Sequence, residues 1–298
     1  MSFSANLLFD LEQMFQYQFM RHAFEAGTLV AIVAGIVGYF VVLRRSSFAA
    51  HALSHIGFAG AAGAVLCGIS PVIGMLAFTI TGGVGMSVLS PRASDRDVQI
   101  GIVLSFMLGL GVLFISLYSG YATEAYSILF GEILGISTFD VLVTIVATVI
   151  ILCVVAIVYR PLLFSSLDED VAEAKGLHIR MLGIVFMILV AIATSVSVQV
   201  VGVLLIFSLM VTPAAVAQRL AKRPWHAVAL SVIISLFSTW LGLFVAFYQP
   251  YPVSFFITTI VFAIYLVVRL VQTSLNRIGQ ARKATLSNPN NIAQTGLQ

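Results

Sequence analysis

Residues 46–91 read SSFAAHALSHIGFAGAAGAVLCGISPVIGMLAFTITGGVGMSVLSP, and no Lys, Arg, Asp or Glu interrupts them. A membrane-crossing helix needs about 20 apolar residues, so this run is two crossings, divided at Ser70-Pro71. The only strongly polar side chains in the first crossing are His51 and His55. Four residues apart on a helix, they project from one face. Ionisable groups at membrane depth are costly and mark ion or substrate paths.

The rest of the chain agrees with that class. Its 298 residues are 60% hydrophobic and 9% charged, against about 25% charged in soluble domains, and the mean hydropathy is +1.07. The composition predicts an all-α polytopic bundle of about nine spans, eight to ten being compatible with it. The nine apolar stretches run over 24–43, 47–67, 71–89, 98–117, 140–159, 180–197, 199–217, 226–248 and 253–272. The last two part at Gln249-Pro250-Tyr251-Pro252, whereas the break near Val198 rests on length alone. Residues 1–23 read as an external or interfacial segment, 24–276 as the transmembrane domain, and 277–298 as a flexible cytoplasmic tail. Asp10 and Glu12, with no basic region before them, do not fit a secretory signal peptide.

Orientation follows the basic residues. With the N-terminus outside and the C-terminus cytoplasmic, Arg44, Arg45, Arg92, Arg96, Arg160, Lys175, Arg180, Arg219, Lys222, Arg223, Arg269, Arg277, Arg282 and Lys283 all fall inside, and Arg21 alone falls outside. The net charge of +3 therefore reports topology, not a nucleic-acid surface. Cys67 and Cys153 sit in apolar runs without a second ligand at metal or redox spacing, and read as packing residues.

Three features carry chemistry. The His51–His55 pair suits a transition metal, because neutral imidazole favours zinc, copper, iron and nickel over calcium and magnesium. One chain offers two imidazoles; a two-fold dimer would offer four, the number a tetrahedral zinc ion takes. Ala52 stands where a His-Glu-x-x-His hydrolase keeps its general base, so no hydrolase is indicated. The external stretch 118–139 carries Glu124 and Glu132, and its segment 127–135 reads as a half-helix dipping into the protein. Glu132 admits four readings: a proton-relay group, a further metal-path residue, a pore-mouth attractor for cations, or a solvated loop acid.

The third feature is the internal segment 160–179, which holds Asp168, Glu169, Asp170, Glu173 and Lys175. It reads as a short helix starting at Ser165 or Ser166, with acids in its first turn and a stop at Gly176. The sequence has no G-x-x-x-x-G-K-[ST] phosphate loop. The chain is therefore not expected to be an enzyme, and the charged segment looks like the dock of an external motor. Two function classes follow: a permease driven by a partner ATPase, or an ion-coupled secondary metal carrier, the latter short of intramembrane carboxylates.

Three passages now give a resemblance. Val42–Gly60 (VLRRSSFAAHALSHIGFAG), Leu129–Ser137 (LFGEILGIS) and Val201–Leu220 (VGVLLIFSLMVTPAAVAQRL) resemble the permease subunits of bacterial ABC importers for zinc, manganese and iron. The acidic segment ending in Ala174-Lys175-Gly176-Leu177 is similar as well, and the likeness spans about Phe19 to Ile278. It implies a multi-pass protein of the bacterial cytoplasmic (inner) membrane, surrounded by lipid. It implies a second copy as homodimer partner, two cytoplasmic ATP-binding subunits and an external metal-binding protein. No cofactor is permanently bound; the metal is cargo. The family's metal-contacting pair falls on His51 and His55, and its coupling segment on Asp168, Glu169, Val171, Ala172, Ala174 and Gly176. Position 51 departs, since aspartate is common there, and a His/His pair shifts the expected cargo toward zinc over manganese or iron.

Overall fold

The protein is described by a computed structural model covering residues 14–89, 96–117, 131, 133, 135–249 and 251–286. Those residues form ten helices and no strand. They are α1 (Gln18–Leu43), α2 (Ser47–Leu66), α3 (Pro71–Leu89), α4 (Arg96–Leu117), α5 (Thr138–Leu167), α6 (Glu169–Ala174), α7 (Ile179–Val201), α8 (Val203–Leu220), α9 (Pro224–Tyr248) and α10 (Val253–Leu286). All but α6 are long and apolar enough to cross a membrane, in the order expected from the hydropathy pattern.

Boundaries moved where backbone chemistry outranked hydropathy. The α7–α8 break falls at Gly202, not near Val198. Gly202 has φ 84° and ψ 163° and serves at once as the last cap of α7 and the first of α8, a conformation open essentially to glycine alone. Helix α5 does not stop at Tyr159: it runs through Pro161 to Leu167, so residues 165 and 166 end a spanning helix and do not start the short one. Helix α10 continues to Leu286, past the expected start of a flexible tail at 277. Cys67 and Cys153 are free and exposed, not packed in the core.

Close helix contact rests on small residues, as expected where packing, not water exclusion, holds helices together. A Cβ on Gly38 of α1 would collide with the backbone carbonyl of Met210 on α8, and Gly60 and Gly74 lie backbone to backbone between α2 and α3. Gly35 faces Val232, and Gly242 faces Ile257. Along α3 and α7 the hydroxyls of Thr79 and Ser195 meet at 2.6 Å. Pro213 has no N–H for the Leu209 carbonyl, and Ser235 of α9, fully buried, donates to that oxygen at 3.4 Å. Helices α1, α2 and α7 form the buried centre, while α4 and α10 are mostly exposed rim.

Candidate transport site

His51 and His55 lie on α2, which also carries buried Leu53, Ser54 and Ile56. At 1.5 Å rise per residue they stand ~6 and ~12 Å from Ser47 along the helix axis. Their rings pack edge to face with centroids 4.7 Å apart. The Nδ1 atoms of both are buried without a hydrogen-bond partner among the described residues, although both side chains are only half-buried. The Ser54 hydroxyl between them turns inward to the Ala50 carbonyl at 3.1 Å and belongs to the helix, not to the site.

Phe207 of α8 completes this face. Its ring centroid is 4.7 Å from that of His51, with the planes inclined at 60°. Nothing in the spacing of the sequence links residues 51 and 207, so Phe207 escaped sequence reasoning. The nearby Leu204 on α8 is exposed, leaving α2 and α8 with a shared, partly uncovered surface. Among the described residues no cluster of three or more His, Cys, Asp or Glu side chains exists. The pair alone therefore supplies an incomplete metal shell.

The far end of α7 is organised by a second polar group the sequence did not single out. Ser137 and Asp140 form a reciprocal cap at the start of α5, and the Gln199 amide donates to Asp140 at 2.8 Å. Gly131, with φ 75°, packs against the backbone of Val201 and Gly202, so the second and third resembling passages meet in space. Glu132 itself lies outside the described residues. Glu25 is an exposed residue of α1.

At the arginine-rich end, α6 begins with Asp168 as N-cap, its carboxylate accepting the Val171 N–H at 3.0 Å. Lys175 lies over the Phe164 ring at 5.1 Å, and Gly176 ends the helix with φ 84°. Asp168, Glu169, Val171, Ala174 and Gly176 are exposed. Ala172 departs from expectation. It is fully buried against the chain itself, so it seats the helix and offers nothing to a partner.

Residues 16–272 match the ABC 3 transport family. The chain belongs to the ABC 3 transport family. Within it the chain is 33% identical over 238 residues to the manganese transport system membrane protein MntC of Listeria innocua, covering 80% of this chain and 85% of that one. It is 32% identical over 233 residues to the manganese import system permease protein ScaB of Streptococcus parasanguinis, covering 78% and 83%. The solved PsaBC from Streptococcus pneumoniae, in complex with Fab, superposes with a TM-score of 0.80 at 27% identity, over 88% of this chain and 95% of that chain. ABC 3 chains of this kind are membrane permeases without an ATPase site of their own, which fits the lack of a phosphate loop and the helical architecture of this chain.

Proposed function

We propose that this chain is the permease of an ATP-driven importer for a divalent first-row transition metal. The observation that carries the reading is the His51–His55 pair: two half-buried imidazoles, both with unpartnered Nδ1 atoms, in a span otherwise free of charge. Imidazole binds such metals as a neutral base, so this pair adds no negative charge to the site. The hold on a dication is correspondingly loose, which suits a path that must release its cargo. A second copy related by a two-fold axis through the α2–α8 face would bring four imidazoles together. Relatives named for manganese transport support a metal as the cargo. Family membership removes the ion-coupled secondary carrier from consideration.

In this reading the N-terminus faces outward and the basic residues face the cytoplasm of a bacterium, following the positive-inside pattern. An external metal-binding protein delivers the ion at the end of the bundle holding Asp140 and Gln199. Two ATP-binding subunits dock on the exposed side of α6, one per permease, meeting Asp168 and Glu169 at the rim. ATP-driven closure in the partners alternates access to the histidines.

Cargo identity divides on two observations. The all-imidazole pair favours zinc, because hard oxygen ligands are lacking. The names of the relatives favour manganese. The permease reconstituted with its ATP-binding partners in liposomes, assayed for zinc and manganese uptake, tests both. Uptake should vanish in the His51→Ala/His55→Ala double variant; normal uptake in that variant would move the site elsewhere.

A further inference from the structure

We infer that Arg44 is the positioning residue that hands movement of the α6 dock to the histidine-bearing helix. The inference rests on the proposed docking of ATP-binding partners at α6. Arg44 closes α1, its N–H donating to the Phe40 carbonyl at 2.9 Å. Three residues later α2 begins, and the joint between them is stiff. Arg45 takes a φ of 54°, the single non-glycine residue with positive φ among those described. The Ser46 N–H donates to the Val41 carbonyl at 2.8 Å, and the Ser46 hydroxyl to the Arg44 carbonyl at 3.3 Å. A push on Arg44 is therefore a push on the first turn of the helix that carries His51.

The guanidinium reaches away from this joint to the end of the neighbouring helix α5. Its Nη1 donates to the Ser165 hydroxyl at 3.0 Å and to the Ser166 hydroxyl at 3.5 Å. Its central carbon lies over the Phe186 ring of α7, 5.2 Å from the centroid. Ser165 and Phe186 are both buried while Arg44 and Ser166 are half-buried, so the contact sits at the edge of the core, where a charge-assisted hydrogen bond is stronger than in open water. Ser166 is two residues before Asp168, the N-cap of α6.

What this contact can transmit follows from what surrounds it. Helices α2 and α5 share no more than marginal contact, and α1 and α2 touch little beyond their joint. Pro161 interrupts the hydrogen-bond ladder of α5 one turn before Ser165, which is where helices bend. Beyond that soft point, residues 162–174 form a short lever: the end of α5, then α6, seated by buried Ala172. Arg44 grips the lever with one end and the start of α2 with the other. Helix α7, through Phe186, offers the parallel route. Arginine suits the task because its planar fork can meet two hydroxyls and an aromatic face together, which a lysine cannot.

The test uses the complete transporter with its ATP-binding partners in liposomes. Arg44→Gln should lower metal uptake per ATP hydrolysed by roughly tenfold, within the range of ordinary coupling energies, with assembly and ATP hydrolysis retained. Arg44→Lys should recover part of the ratio. The Ser165→Ala/Ser166→Ala double variant removes the acceptors without touching the α1–α2 joint and should reproduce the loss. Combined with Arg44→Gln it should add nothing. A normal uptake-to-hydrolysis ratio in the serine double variant overturns the inference. So does a loss in Arg44→Gln that appears only as failed assembly while the serine variant is normal. The docking reading fails separately: enlarging Val171 or Ala174 on the exposed side of α6 would then leave partner binding intact.

Discussion

The imidazole of His51 on α2 rests against the ring of Phe207 on α8 with centroids 4.7 Å apart. This contact joins two helices 156 positions apart in sequence into one face and limits the orientations open to His51. Removing the ring in Phe207→Ala should weaken metal binding roughly 2- to 10-fold, matching the ~0.5–1.5 kcal/mol of an aromatic pair. Titration of the purified permease with zinc measures it, and an unchanged affinity would separate Phe207 from the site.

His51→Asp replaces a neutral imidazole with a hard, charged oxygen ligand. Manganese uptake should rise relative to zinc. A competition assay with both ions reads the ratio, and an unmoved ratio would remove position 51 from cargo selection.

Glu169→Gln and Ala172→Leu should fail differently. Glu169 is exposed and caps nothing, so its neutralisation weakens partner association in a salt-dependent way and leaves turnover of the assembled complex unchanged. Asp168 is the poorer probe because its carboxylate also caps α6, at a cost of about 1 kcal/mol when lost. Ala172→Leu has no space and lifts α6 from its seat. Partner binding should persist while transport is lost; coupled transport at the wild-type level would show that the seating of α6 does not govern coupling.

Gly176→Ala strains a backbone held at φ 84°, costing about 1–2 kcal/mol. Since its surroundings are open, the effect is local: faster proteolysis at 174–178, with the thermal stability of the bundle unchanged. A global loss of stability would contradict the placement of this turn.

Gly38→Ala meets the Met210 carbonyl of α8, and backbone cannot step aside as a side chain can. Overpacking of this kind costs about 1–3 kcal/mol. The purified permease should denature at lower temperature, and an unchanged melting temperature would mean that α1 and α8 are farther apart than described.

The spans and the His51–His55 pair were legible in the sequence because both are local facts. Hydropathy over about 20 residues decides insertion, and a spacing of four decides a helix face. Ends of elements were less legible. Leu167 ends α5 because a proline in the last turns of a membrane helix bends it without ending it, and Gly202 splits α7 from α8 because only its missing Cβ permits that backbone. Ala172 looked like a partner contact from sequence because a small apolar residue in a charged loop has no partner there; the fold supplied one. Phe207 beside His51, Gln199 on Asp140 and Arg44 across to Ser165 could not be read at all. Each pairs residues separated by dozens to more than a hundred positions, and helix packing alone decides which faces meet. Sequence determined that this chain crosses the membrane and where its imidazoles sit; tertiary structure decided what surrounds them and what can move them.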